Sequence, residues 1–309
     1  MAGHAHWLFV VSAFDTTPPD AFADRRGYDP AFLGDGALRV DFPGLGRRAS
    51  DLAPVAGAPD DVLRYQHFSI LQSRSRRLPI LAAVNIDGTR AFRLKRRGRW
   101  RLDGRLAPEH QIGNELYRDN PLDRGHMVRR KDAGWGASQA EAERGEADTF
   151  HYTNAAPQHA DLNQRDWLGL EDYILGAVTT RGLRASVITG PILADSDRPL
   201  EPRHGAGGVA IPAAYWKVAA VVDDATGRLS ATGYVLAQGD LIEDLVHPGF
   251  AFGAYGTYQV RLSHLSRMSG LNFSNLYTSD PMAERAQFVP ADGTRRVDGP
   301  ASLLLAFGR

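Results

Sequence analysis

Asp123-Arg124-Gly125-His126, followed thirty-seven residues later by Asn163 and then by Glu171, offers an imidazole, a guanidinium, an amide oxygen and a carboxylate. A histidine that works as a base near neutral pH must be neutral and held in one tautomer. One amide-oxygen ligand suits a hard, oxygen-loving Mg²⁺ that keeps most of its waters, with Mn²⁺ as the alternative. Hydrolysis of a phosphodiester needs a nucleophile made from water, charge compensation for the phosphorus oxygens and help for the departing 3′ oxygen. Histidine, arginine and hydrated Mg²⁺ supply these in turn, so the residues read as a one-metal phosphodiester-cleaving site.

Such groups need elements to hold them. Residues 163–178 carry Trp167, Leu170, Ile174, Leu175 and Val178 at three-to-four spacing, with Gly182 beyond as a stop, and this predicts a helix. Asn163, Trp167 and Glu171 are then successive i, i+4 neighbours, so Asn163 and Glu171 can face one ion. Residues 79–86 form an apolar run ended by Asp87-Gly88, and residues 91–95 are read as its returning hairpin partner. Residues 185–192 read as a buried strand, and 216–222 with 229–236 as a hairpin. Strands around a helix without regular alternation predict an α+β fold with a largely antiparallel sheet. Residues 1–60, rich in Pro, Gly and Asp, are expected to be an extended arm packing on a core domain of residues 61–309.

The formal net charge of the 309 residues is zero, yet between Arg74 and Arg105 stand eleven basic residues and two acidic ones. That is a local field suited to phosphates, and the predicted hairpin places it on strands. Only Lys95, Lys131 and Lys217 are lysines, so a GC-rich codon bias, common among bacteria, accounts for part of the arginine. Cysteine is absent, which removes disulfides, thiolate metal sites and cysteine nucleophiles. No run of about 18 apolar residues exists to span a membrane. Residues 1–14 make a poor signal peptide, which favours the cytoplasm without fixing the compartment.

The residues around the tetrapeptide are equally distinctive. Met127-Val128-Arg129-Arg130 comes directly after it, then Asp148-Thr149-Phe150-His151-Tyr152-Thr153-Asn154-Ala155-Ala156-Pro157-Gln158, then Leu162-Asn163 with Trp167 and Leu170-Glu171. Here the chain resembles the DNA/RNA non-specific endonuclease family of ββα-metal (His-Me finger) nucleases, which includes endonuclease G. Asn85-Ile86-Asp87-Gly88, Thr189-Gly190-Pro191-Ile192 and Ser269-Gly270-Leu271-Asn272-Phe273 look like family segments in family order, so the likeness covers about residues 60–275. The resemblance implies a Mg²⁺-dependent endonuclease acting on DNA and RNA. His126 would be the general base, Asn163 the direct metal ligand, Glu171 the holder of metal-bound waters, and Arg124 a substrate contact. The family's further arginine precedes an aromatic and an Asp, here Trp100 and Asp103. Arg96, Arg97 and Arg99 compete for it; Arg97 is preferred, with Arg93, Arg96 and Arg99 left to bind substrate. Asp123, Asn154 and Gln158 are expected to hydrogen-bond behind the site. A homodimer and an inhibitor protein are open as partners.

Two other classes compete: a catalytically silent nucleic-acid-binding relative, and a phosphodiesterase for a smaller phosphoester. A decayed copy would have lost His126, Asn163 or Glu171, and all three stand. His67, His110, His151, His159, His204, His247 and His264 lack spaced metal-ligand partners and are read as structural or surface histidines.

Overall fold

The computed structural model describes residues 16–160, 176, 178, 182–201, 208–239, 256–284 and 294–297. Its strands in chain order are β1 (Thr16–Thr17), β2 (Leu63–Arg64), β3 (Phe68–Gln72), β4 (Pro79–Asp87), β5 (Leu102–Asp103), β6 (Leu122–His126) and β7 (Ala155–His159). After these come β8 (Arg184–Pro191), β9 (Arg198–Pro199), β10 (Ala210–Ile211), β11 (Ala214–Val222), β12 (Leu229–Ala237), β13 (Gly256–Val260) and β14 (Thr294–Arg296). Two helices bear on the cores and the site, α1 (Gln139–Asp148) and α2 (Leu262–Ser269).

Eight strands pair in the order β14-β13-β12-β11-β8-β4-β3-β2, and every pairing is antiparallel. The strand sequences explain why the sheet is central. All of β3 and β4 is buried, and so is β11 apart from its last residue, as expected of a sheet covered on both faces. Successive side chains alternate between two cores. Ala82, Val84 and Ile86 of β4 join Tyr215, Ala219 and Val221 of β11 on one face. Ala83 of β4 with Trp216, Val218 and Ala220 of β11 lies on the other.

The first face carries the segments around His126, through Met127, Val128, Ala133 and Ala156. On the second face Leu262 and Leu265 of α2 pack beside Tyr28 and Val40 of the N-terminal segment. The N-terminal arm is therefore part of both cores, since Phe22 joins the first. Its backbone is tied down as well: Asp29 N–H donates to Asn85 Oδ1 at 2.7 Å, Asn85 Nδ2 returns a bond to the Asp29 carbonyl at 3.1 Å, and Tyr28 Oη donates to the Val40 carbonyl at 2.7 Å.

The α+β class with a mainly antiparallel sheet holds, and the 229–236 strand pairs with the 216–222 strand as expected. One pairing differs. The partners of β4 are β3 and β8; residues 92–100 form no strand, and only Ala91 makes a bridge, to Trp135. The physical reason is composition. A strand beside β4 must bury both faces, and Arg93, Lys95, Arg96, Arg97 and Arg99 cannot be placed in a core. Of the predicted helix over 163–178, positions 176 and 178 are helical; Asn163, Trp167 and Glu171 lie outside the described residues.

Candidate active site

Strands β6 and β7 pair antiparallel, with His126 opposite Ala155 and Asp123 opposite Gln158. The chain between them contains α1 and returns to the starting point, so something must lock the two ends together. Asn154 does this. It is fully buried; its Oδ1 accepts from Val128 N–H at 2.8 Å, and its Nδ2 donates to the carbonyls of Val128 at 2.8 Å and Thr149 at 2.9 Å. Its own carbonyl accepts from Met127 N–H at 2.9 Å. The residues just after His126 are thus pinned by one amide.

Pleating sorts the motif onto two faces. Arg124 and His126 share one, while Asp123 and Gly125 share the other with Gln158. Gln158 crosses directly beneath Gly125: a Cβ there would lie 2.1 Å from Gln158 Oε1, so the glycine is required for this approach. The Gln158 amide is buried with neither oxygen nor nitrogen partnered among the described residues, and it faces away from His126.

His126 sits in an aromatic slot. Its ring centroid is 4.7 Å from that of Trp100 and 5.1 Å from that of Phe150, the latter nearly perpendicular. Nε2 is covered and has no hydrogen-bond partner among the described residues. Burial pushes the imidazole pKa down to about 3, and the charges of Arg96, Arg130 and Arg129 push the same way. The ring is consequently neutral at physiological pH. Arg124 is aimed by a short turn, Asn114–Tyr117: Nη2 donates to Asn114 Oδ1, and the guanidinium lies 5.4 Å over the Tyr117 ring.

The arginine-rich stretch lies alongside. Gly98 presses so closely on Phe150 that a Cβ would fall 1.8 Å from the ring edge. Arg96 turns toward the slot, its guanidinium 5.6 Å over Phe150. Arg93, Arg97 and Arg99 instead line a pocket against α1. The sequence preference for Arg97 as the residue acting beside His126 therefore meets a geometric difference: the charge felt at His126 from this stretch is that of Arg96. An extended chain alternates its side chains, and a dense arginine run gives no register by which sequence could choose between neighbours.

Behind the slot is a buried polar network. Burial alone would raise the carboxyl pKa of Asp103, but the two-pronged bond from Arg105 outweighs it and holds the group below its ordinary value. Tyr65 Oη and the Gln111 amide complete the set. His151 bonds to the Asp148 carbonyl and to Thr17 Oγ1, both at 2.8 Å, and His67 to the Trp135 carbonyl at 2.9 Å, structural roles both.

Asn163 and Glu171 fall outside the described residues, so their distance from His126 has no value to set beside these. Among the described residues no group of three or more His, Asp or Glu is placed to cage a metal. The oxygen donors expected from the sequence, Asn163 and Glu171, suit a well-hydrated hard cation better than a zinc-type cage. The sequence reading missed Phe150 as the wall of the histidine slot and Asn114 as the anchor of Arg124. It also missed α1, whose signal was the Ser138-x-x-Glu141 start: Ser138 Oγ accepts from Glu141 N–H at 3.3 Å.

The β6–β7 ribbon is set on one face of a large antiparallel sheet and carries the half-buried His126 in an aromatic slot beside an arginine-rich stretch. The model of the DNA/RNA non-specific endonuclease family matches residues 53–279, and the chain belongs to that family. An uncharacterized protein, y4fB, of Sinorhizobium fredii is 37% identical over 84% of this chain, which spans 40% of that relative's length. Mitochondrial endonuclease G of Bos taurus is 25% identical, over 72% of this chain and 75% of its own. A chain of the solved EndoG/EndoGI complex superposes with a TM-score of 0.54 at 20% identity, over 76% of this chain and 88% of its own, a likeness of fold.

Proposed function

We propose that this protein is a divalent-metal-dependent endonuclease that hydrolyses phosphodiester bonds of both DNA and RNA. The observation that supports it most is His126, held neutral in the Trp100–Phe150 slot beside a wall of exposed cations. A neutral imidazole takes a proton from water as the water attacks phosphorus. Arg96, over Phe150, and Arg124, two residues before His126 on the same strand, bind phosphate oxygens and offset the charge that grows on them. Arg96 is assigned this role in preference to Arg97 because of its place over Phe150. Asn163 would hold a Mg²⁺ and Glu171 its waters, and such an ion would supply positive charge to help the 3′ oxygen depart.

Contacts to phosphate and sugar are common to all nucleotides, so they add no sequence preference of their own. The family match weighs against a silent relative, and the length of the basic stretch weighs against a small phosphoester. The EndoG/EndoGI neighbour suggests a protein inhibitor as a partner class for this chain too. Incubation with supercoiled plasmid and with structured RNA, with Mg²⁺ or with EDTA, tests the reading. Both substrates should be cut with Mg²⁺ and neither with EDTA; cutting that persists in EDTA would rule out the metal.

A further inference from the structure

We propose that the pocket between residues 93–101 and α1 is a subsite for one unpaired nucleotide of the substrate strand, next to the scissile phosphate, and that Glu143 there favours cytosine over thymine. The inference rests on the proposed nuclease activity and adds a strand form and a base preference to it.

The pocket is about 450 Å³, within the ~300–1,000 Å³ range of small-molecule sites. Its two walls differ in chemistry. Arg93, Lys95, Arg97 and Arg99 stand on one side, at alternate positions of an extended chain, and Gln139, Glu143 and Glu146 of α1 stand on the other. Those four cations are solvent-exposed, so the wall is available to a phosphate. Of the two glutamates, Glu146 is buried and bonded to Arg130 at 2.6 Å. Glu143 is exposed, and among the described residues its carboxylate accepts from its own helix neighbour, Gln139 Nε2, at 2.8 Å, which leaves acceptor capacity for a ligand.

Position ties the pocket to the reaction. Gly98 lines it and packs directly on Phe150, whose ring is 5.1 Å from that of His126. One side chain therefore separates the pocket from the base, which suits a nucleotide adjoining the cleaved bond. A base stacked in a duplex cannot reach a pocket without being turned out of the helix, at a cost of a few kcal/mol, whereas a single strand presents it freely. Phe92, at the start of the same stretch, is 38% exposed and offers an aromatic face on which a neighbouring base can stack. Cytosine N4 donates to a carboxylate. Thymine offers only an N3–H between two carbonyl oxygens that a carboxylate repels.

The test uses the full chain in EDTA, measuring fluorescence anisotropy with dC and dT oligonucleotides of about 12 residues, beside plasmid cutting in Mg²⁺ by the same preparation. Wild type should bind the dC strand about tenfold more tightly. Glu143→Ala should bring the two within about twofold, while Glu143→Gln, which keeps an acceptor oxygen, retains part of the preference. Arg99→Ala should weaken both strands alike and lower the log–log salt slope by about one. Circular dichroism of each variant checks the fold. Equal binding of dC and dT by wild type, or a preference that survives Glu143→Ala, overturns the subsite whether or not plasmid is cut. A Glu143-dependent preference without plasmid cutting supports the subsite and overturns the catalytic reading instead.

Discussion

His126 is the residue proposed to carry the chemistry, and its surroundings bear directly on its protonation. A histidine in the free chain has a pKa near 6.5, and burial pushes that of folded His126 down to about 3. The folded pKa is the lower one, so stability attributable to this group is intact above pH 6.5 and is lost as pH falls from there toward 3. His67 and His151, both depressed chiefly by burial, act in the same direction. An NMR titration of the free protein should show no protonation of His126 between pH 8 and 5; a midpoint near 6.5 would mean the slot is open to water. On the proposed reading the neighbouring arginines separate by role. Arg96→Ala should lower turnover by about two decades or more, as loss of transition-state charge stabilisation does. Arg97→Ala should act mainly on binding, reducing the salt slope by about one unit. A reversed pattern in single-turnover rates and salt titrations would return the catalytic role to Arg97. The motif was legible because its residue types are chemically distinctive. The choice among adjacent arginines was not, because side-chain direction in an irregular segment is set by what it packs against.

At the level of elements, the site is a ribbon and a loop pressed together. Asn154 closes the excursion between β6 and β7, and Gly98 lets the basic stretch touch Phe150. Gly98→Ala forces the Phe150 ring, and with it the histidine slot, to shift; overpacking of this kind costs about 1–3 kcal/mol. The expected result is a lowered melting temperature together with a drop in cleavage rate greater than the drop in affinity. Unchanged rate would mean that the stretch can move without disturbing His126. Element prediction succeeded where burial dominates sequence: β11 and β12 are apolar runs around a polar turn, and they pair as read. It failed at residues 91–95, whose Phe92-Arg93-Leu94-Lys95 alternation suits a half-exposed strand and not a place beside β4, which is buried along its whole length. It also passed over α1, whose polar sequence has little periodicity and whose start is marked only by its cap.

Across the whole molecule, the segment before the family-matched region behaves as part of the fold. Phe22 and Tyr28 lie in opposite cores, and Arg25 Nε bonds Asp148 at 2.6 Å just behind the active-site segment. None of these contacts is visible in sequence, since each joins residues far apart in the chain. Tyr28→Phe removes only the hydroxyl that serves the Val40 carbonyl, leaving a buried acceptor unmet, and should cost about 1–3 kcal/mol. Denaturant melts should show this loss while plasmid cutting at 25 °C persists; full stability would mean the arm is dispensable. The zero net charge hides a basic face because charge is distributed by surface, not by chain average.

The most direct measurement is the single-turnover rate of cleavage of one labelled DNA by wild type and by folded His126→Ala, with binding measured separately in EDTA. Loss of a general base should slow the chemical step by about two to four decades while affinity stays within a few-fold. A folded variant that cuts at the wild-type rate would contradict the account, for the water would then be activated elsewhere.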